Sequence, residues 1–413
     1  MPFTTFRASP LPFLAATGAL GLLFVSLLTG QLLRLPLPGQ GGGLLLSDIA
    51  TLCVLLAAFI FFLFQPRGSK PIFIILTSLL PFILWVVAGT VIAASHYALP
   101  EAGLITAYAV RLVSTLLLFP ALLLFVQDIR LEKLVHHSLV MVVSSVAILG
   151  LVQWLFIRDL TFLTQWGWDP HQGRLVSTWL DPNFVGIFFA MMLPWFIARK
   201  SWWVVGIMPA LLLTSSRSSF VALALAVLCL SPFLLLGLLK QAKHAAFIIT
   251  SSIAGLSLIA LVIAILLLGS RAQSLLKEDP TVNLRLDSLH TAWNVIENHP
   301  WVGVGYNAYQ FAGMHSTQQV DFSIHSRAGA DNSYLTLWAT TGLIGLFLFL
   351  APVAAMAIFL LKQWLIQSDF IAFSIAVSLL TLLIHANFIN SLLYTHLLIA
   401  LFLLLSRVKL YVV

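Results

Sequence analysis

SRAQSLLKEDPTVNLRLDSLHTAWNVIENHPWVGVGYNAYQFAGMHSTQQVDFSIHSRAGADNSYLTLWATTGLIG, residues 270–345, is the one long polar stretch of a chain that otherwise reads as membrane helix. It gathers charge, histidine and glycine turns between two apolar runs. The chain of 413 residues around it is 60% hydrophobic and only 8% charged, with a mean hydropathy of +1.03. No water-soluble domain of this length carries such a composition on its surface. A helix needs about 20 apolar residues to cross a hydrocarbon core of about 30 Å, and the Leu, Ile, Phe and Val runs here have that length. They lack the alternating ten-residue pattern of an outer-membrane barrel.

Apolar runs fall at about 11–33, 44–64, 71–95, 103–126, 134–157, 183–198, 201–214, 219–239, 246–268, 334–361, 370–384 and 389–406, each good to a few residues. The expectation is therefore an all-α integral membrane protein of about twelve transmembrane helices. One large, partly helical outer loop, residues 269–333, joins spans 9 and 10, and residues 1–413 make a single polytopic membrane domain. The run at 11–33 exceeds the apolar core of a signal peptide and lacks a clear small-residue cleavage site, so it reads as an uncleaved first span. Cys53 and Cys229 lie inside apolar runs and read as small core residues rather than a disulfide or a metal pair.

The net charge of +7 follows topology better than nucleic-acid binding, because its Lys and Arg are scattered through short loops and not clustered with aromatics. Arg130, Lys133, Arg199, Lys200, Lys240, Lys362, Arg407 and Lys409 all fall in short segments on one side. The positive-inside rule then puts both termini in the cytoplasm and the large loop on the outer face. Most Asp and Glu fall on that outer side. No P-loop or dinucleotide fingerprint and no cytoplasmic DxD pair is present, so nothing points to a nucleotide or a nucleotide sugar.

Within the loop, Asp279-Pro280-Thr281 is a helix start. Val282, Leu286, Leu289, Trp293 and Ile296 then form an apolar stripe, which predicts a helix at the membrane interface ending near His299-Pro300. Arg285, at the edge of that stripe, meets lipid phosphate at headgroup depth or merely snorkels. Thr214 to Ser219, TSSRSS, interrupts two apolar runs, and Arg217 with Ser216 and Ser218 is either an anion site in a broken helix or an ordinary loop. Arg111 sits inside a span, where a charge is costly and is usually functional or paired. Asp331 and Asn332 precede the span that begins near Tyr334; each reads as a helix cap, and Asp331 also as a general base beside an arginine. His325 and His315 are further base candidates. Residues 173–183, with Arg174 and the turn Asp181-Pro182-Asn183, read as structural.

Four of these segments, RLVSTWLDPN at 174–183, TSSRSSF at 214–220, RLDSLHTAWNVIENHPWVGVGY at 285–306 and DNSYLTLWATTGLIG at 331–345, together resemble the O-antigen ligase and O-antigen polymerase superfamily. The resemblance covers about residues 140–360. It implies an undecaprenyl-diphosphate-linked glycan as donor at the periplasmic face, with Arg217 and Arg285 holding the diphosphate and lipid A-core or a growing glycan as acceptor. Members that attach O-antigen to lipid A-core typically carry a histidine, regarded as the base, immediately before the position of Asn332; here that residue is Asp331. A carboxylate can do the same work, and the departure leans toward a polymerase or another acceptor.

The chemistry agrees, since displacing a diphosphate from an anomeric carbon needs stabilised leaving charge and a base for the incoming hydroxyl. Two arginines supply the first without a metal or other cofactor, and Asp331 or His325 the second. The competing class is a transporter or flippase for the same lipid-linked glycan. That class predicts internal repeats and polar residues spread through the midplane, whereas the polar residues here crowd one end.

Overall fold

The computed structural model describes residues 8–36, 43–64, 70–166, 168–240, 280–312 and 329–408. The apolar run expected at 246–268, together with His315 and His325, lies outside the described residues. The first part of the chain folds into α1 (Pro10–Thr29), α2 (Leu46–Phe64), α3 (Lys70–Ala94), α4 (Leu99–Phe125), α5 (Ile129–Phe156), α6 (Pro182–Ala198), α7 (Val204–Thr214) and α8 (Arg217–Leu239). After residue 279 come α9 (Pro280–Asn298), the single turn α10 (Tyr309–Ala312), α11 (Ser333–Gln367), α12 (Phe370–His385) and α13 (Thr395–Leu405).

Among the described residues, seven helices are long and apolar enough to cross a membrane: α1 to α5, α8 and α11. α6, α7, α12 and α13 are apolar but shorter. The architecture is that of a multi-pass, mainly α-helical membrane protein. One small exception is an antiparallel hairpin of β1 (Arg34–Pro36) and β2 (Gly43–Leu45), which the hydropathy pattern does not reveal.

Local chemistry starts several of these helices. Asp128, Asp181 and Asp369 each turn a carboxylate onto the first free amides of α5, α6 and α12, and Pro182 follows Asp181 at the position where a missing N–H costs nothing. The core is then built of large apolar side chains, with Trp179, Trp195, Trp364, Phe188 and Phe196 all fully buried.

Contacts sort the helix termini into two ends. At one, the Ala8 N–H donates to Asp128 (2.6 Å), Arg407 reaches Glu132 (3.0 Å), and the Lys240 ammonium donates to the Leu365 carbonyl (2.9 Å). This end joins the starts of α1 and α5 to the finish of α13, and the finish of α8 to that of α11. It carries Arg130, Lys133, Arg199, Lys200, Lys240 and Arg407 and is called the basic end below. The opposite end gathers the finish of α1, α5, α7 and α12 and the start of α6, α8, α11 and α13.

Two breaks shape the opposite end. α7 stops where Ser215 turns left-handed (φ 51°), and Ser216 returns to extended backbone before α8 starts at Arg217. α6 packs onto this break through Gly186, where a Cβ would lie 2.7 Å from that of Ser216 and 2.8 Å from the Ser219 hydroxyl.

The second break is in α11, which at 35 residues would reach about 52 Å if straight. It is interrupted at Gly342, with φ 70° and ψ 177°. The turn after α9 fills the gap. Val304 and Gly305 donate backbone N–H groups to Ala339 and Thr340 (3.0 and 2.9 Å), and Leu343 donates back to Pro300 (2.9 Å). Trp338 and Trp85 add indole N–H bonds to the Pro300 and Thr341 carbonyls. Freed backbone groups at membrane depth must find such partners. The turn that follows α9 thus packs directly against the α11 break.

The run expected at 389–406 becomes helical only at Thr395. Residues 386–394 instead stay irregular, because their carbonyls serve the start of α11: Ala386 accepts from the Ser333 N–H (2.8 Å) and Ile389 from its hydroxyl (3.3 Å).

Candidate active site

The start of α11 divides two roles that sequence left open between Asp331 and Asn332. Asn332 is the cap: its side-chain oxygen accepts from the amides of Tyr334 (2.9 Å) and Leu335 (3.1 Å). Its amide nitrogen donates to the Asn387 carbonyl. Asp331, relieved of capping, turns its carboxylate to Arg285 of α9, with Nε 3.6 Å from Oδ2. The Asp331 N–H donates to the Ser288 hydroxyl (3.2 Å), so α9 and the start of α11 are fastened side by side.

α9 begins at Pro280 as the sequence predicts, but its buried face is rotated from the expected stripe. Ser288, Ala292 and Ile296 are buried, whereas Leu286 and Trp293 are about half exposed. Small residues at 288 and 292 allow α9 to approach α11 closely. Trp293 meets the Trp338 ring edge-on at 5.9 Å. Arg285 keeps 54% of its side-chain surface exposed, so its guanidinium is accessible at this end.

The second arginine segment lies across α12. Arg217 is the first residue of α8, half-buried, and the hydroxyls beside it form a small network. Ser216 is buried and its Oγ lies 2.8 Å from that of Ser219 and 3.3 Å from that of Ser218. Ser218 in turn sits 3.0 Å from Nε2 of His385, a fully buried residue in the last turn of α12. Immediately after His385, Ala386 and Asn387 hold Ser333 and Asn332. The end of α12 thus holds the Arg217 segment through His385 and the start of α11 through the Ala386 and Asn387 carbonyls, with Asp331 and Arg285 beside it.

His385 is the residue that sequence reasoning missed. It lies in an apolar run, and its partner Ser218 is 167 positions away. Only its place in the last turn before a polar Asn387 marks it.

Arg174 and Arg111 both bond within the bundle. Arg174 donates to the Thr214 carbonyl (2.9 Å) and to Asn183 (3.1 Å), tying the end of α7 to the start of α6. Beside it, burial holds the His171 imidazole below its ordinary value; Arg174 adds to that and Asp181 opposes it. Arg111 forms a two-point bond to Asp48 (2.7 and 2.6 Å), donates to the Gly43 carbonyl of β2, and lies over the Tyr108 ring at 4.5 Å. Its position inside a span is explained by that pair.

No curated protein matches the chain. Residues 202–350, which contain Arg217, Arg285 and Asp331, match the family model described as O-antigen ligase, which supports the resemblance to the O-antigen ligase/polymerase superfamily.

Proposed function

We propose that the protein transfers a glycan from an undecaprenyl-diphosphate carrier to an acceptor hydroxyl at the periplasmic face of the bacterial inner membrane. The observation that carries this reading is the Arg285–Asp331 pair at 3.6 Å, linked through the end of α12 to the segment that holds Arg217. In this reading both arginines bind the diphosphate, where guanidinium groups match phosphate oxygens in a fork and stabilise charge on the leaving group. Diphosphate on Arg285 draws that guanidinium from Asp331. The carboxylate is then left beside the anomeric carbon, placed to take the acceptor's proton. Bond making by the acceptor oxygen and departure of the carrier diphosphate occur in one displacement, with inversion at the sugar carbon. His325 is the alternative base.

The test uses purified protein with a defined undecaprenyl-diphosphate oligosaccharide, with and without lipid A-core, following free carrier and glycan length. Growth of the donor glycan without added acceptor identifies a polymerase; transfer only with lipid A-core identifies a ligase. Arg217→Ala and Arg285→Ala are each expected to lower carrier release by about a hundredfold or more, with the protein still folded and in the membrane. Full activity in both variants sinks the diphosphate clamp, and no release with either acceptor overturns the transfer reading in favour of transport.

A further inference from the structure

His385 is a fully buried imidazole in the last turn of α12, and no carboxylate among the described residues pairs with it. A buried charge without a partner is costly, so the ring is neutral, with one nitrogen donating and the other accepting. Its surroundings decide which is which. Nδ1 is enclosed and meets no hydrogen-bond partner, whereas Nε2 lies 3.0 Å from the Ser218 hydroxyl at the start of α8. A proton on Nδ1 is a buried donor with nothing to receive it, and orphaned N–H groups are rarer in proteins than under-used acceptors. The proton therefore belongs on Nε2, and His385 donates to Ser218.

That direction orders the hydroxyls beside Arg217. Ser216 and Ser219 are fully buried with their Oγ atoms 2.8 Å apart, and the row continues from Ser216 to Ser218 at 3.3 Å. Ser219 donates to Ser216, and Ser216 donates to Ser218. A hydroxyl oxygen has two lone pairs, and on Ser218 both are then filled, one by Ser216 and one by His385. These two are the bonding partners of its side chain among the described residues, so its own proton has no acceptor there. Ser216 is covered by α6 at Gly186, but Ser218 is only half-buried and follows Arg217 directly. A hydroxyl with an unspent proton next to a guanidinium suits an anionic oxygen.

We infer that His385 is a positioning residue, which by donating to Ser218 turns that hydroxyl outward to donate to a diphosphate oxygen alongside Arg217. The inference rests on the diphosphate site proposed above. Arg217 supplies charge there, and Ser218 supplies a neutral donor whose direction is set from α12. Ser216 belongs to the row behind it and does not touch the ligand.

The experiment measures binding of undecaprenyl diphosphate itself to the purified full-length protein, a readout that needs no transfer. Ser218→Ala and His385→Leu are each expected to weaken binding about tenfold, the loss of one hydrogen bond to a charged group. The double variant should bind no more weakly than Ser218→Ala, because His385 acts only through Ser218. His385→Gln, whose amide nitrogen can take the place of Nε2, is expected to recover most of the affinity, whereas a merely space-filling ring is replaced as well by leucine. NMR of wild type with isotope-labelled histidine, the His385 signal being the one lost in His385→Gln, is expected to show the proton on Nε2; this reading stands even if His385→Leu fails to fold. A proton on Nδ1 overturns the positioning role. Wild-type affinity in Ser218→Ala and His385→Leu, with Arg217→Ala impaired, overturns this inference and leaves the diphosphate clamp standing. No binding by wild type overturns both.

Discussion

Asp331 and Asn332 stand side by side, yet only one of them is spent on the backbone. Asn332 closes the start of α11, and Asp331 is left for Arg285. The division predicts opposite phenotypes for the two residues. Asn332→Ala should lower stability by about 1 kcal/mol, the usual loss of a cap, seen as a reduced thermal midpoint. Asp331→Asn should leave the midpoint within about 0.5 kcal/mol while reducing transfer by about 10²–10⁴, the range for loss of a general base. A larger midpoint loss in Asp331→Asn than in Asn332→Ala would reverse the assignment. Sequence could place both residues at a helix start, because Asp and Asn before an apolar run are a local signal. It could not say which one caps, since that is decided by Arg285, Ser288 and Asn387, all distant in the chain. His385 was unreadable for the same reason, its meaning lying in a partner on another helix.

At the scale of elements, most helices were legible because an apolar run of sufficient length has little alternative to a helix in lipid. The rotation of α9 was not legible. Its stripe contains the largest apolar residues, but Ser288 and Ala292 permit closer contact, so they face α11 and the large residues stay outside. Nor did hydropathy reveal the break in α11, where an unbroken apolar run conceals Gly342. Its positive φ and the Trp301 backbone packed against it both require glycine. Gly342→Ala is expected to cost at least about 1–3 kcal/mol and to reduce folded protein in the membrane. Gly103→Ala in α4, where a Cβ meets nothing within 4 Å, serves as the neutral control. Comparable thermal midpoints for the two variants would show that the break tolerates a side chain.

On the scale of the whole molecule, the basic end fastens chain segments far apart in sequence. Asp128 is buried against the Ala8 amide and the Arg130 guanidinium. Burial works against its charge, but the guanidinium and the amides outweigh it and hold the carboxyl below the ordinary range. A depressed folded-state value means the stabilisation is present above the unfolded-state value, about 4, and is lost as pH falls through the lower folded value. Asp128→Asn should therefore lower the midpoint at neutral pH and flatten its decline in acid. An unchanged acid profile would remove Asp128 from that role.

The insertion of residues 299–305 into the α11 break bears on how such proteins can be recombined. That turn serves as the missing piece of another helix's backbone, with Trp301, Val304 and Gly305 bonded where α11 is open. A chimera that exchanges it for a relative's loop without exchanging α11 separates two halves of one joint. Productive crossover points therefore fall where neither partner in that joint is cut from the other.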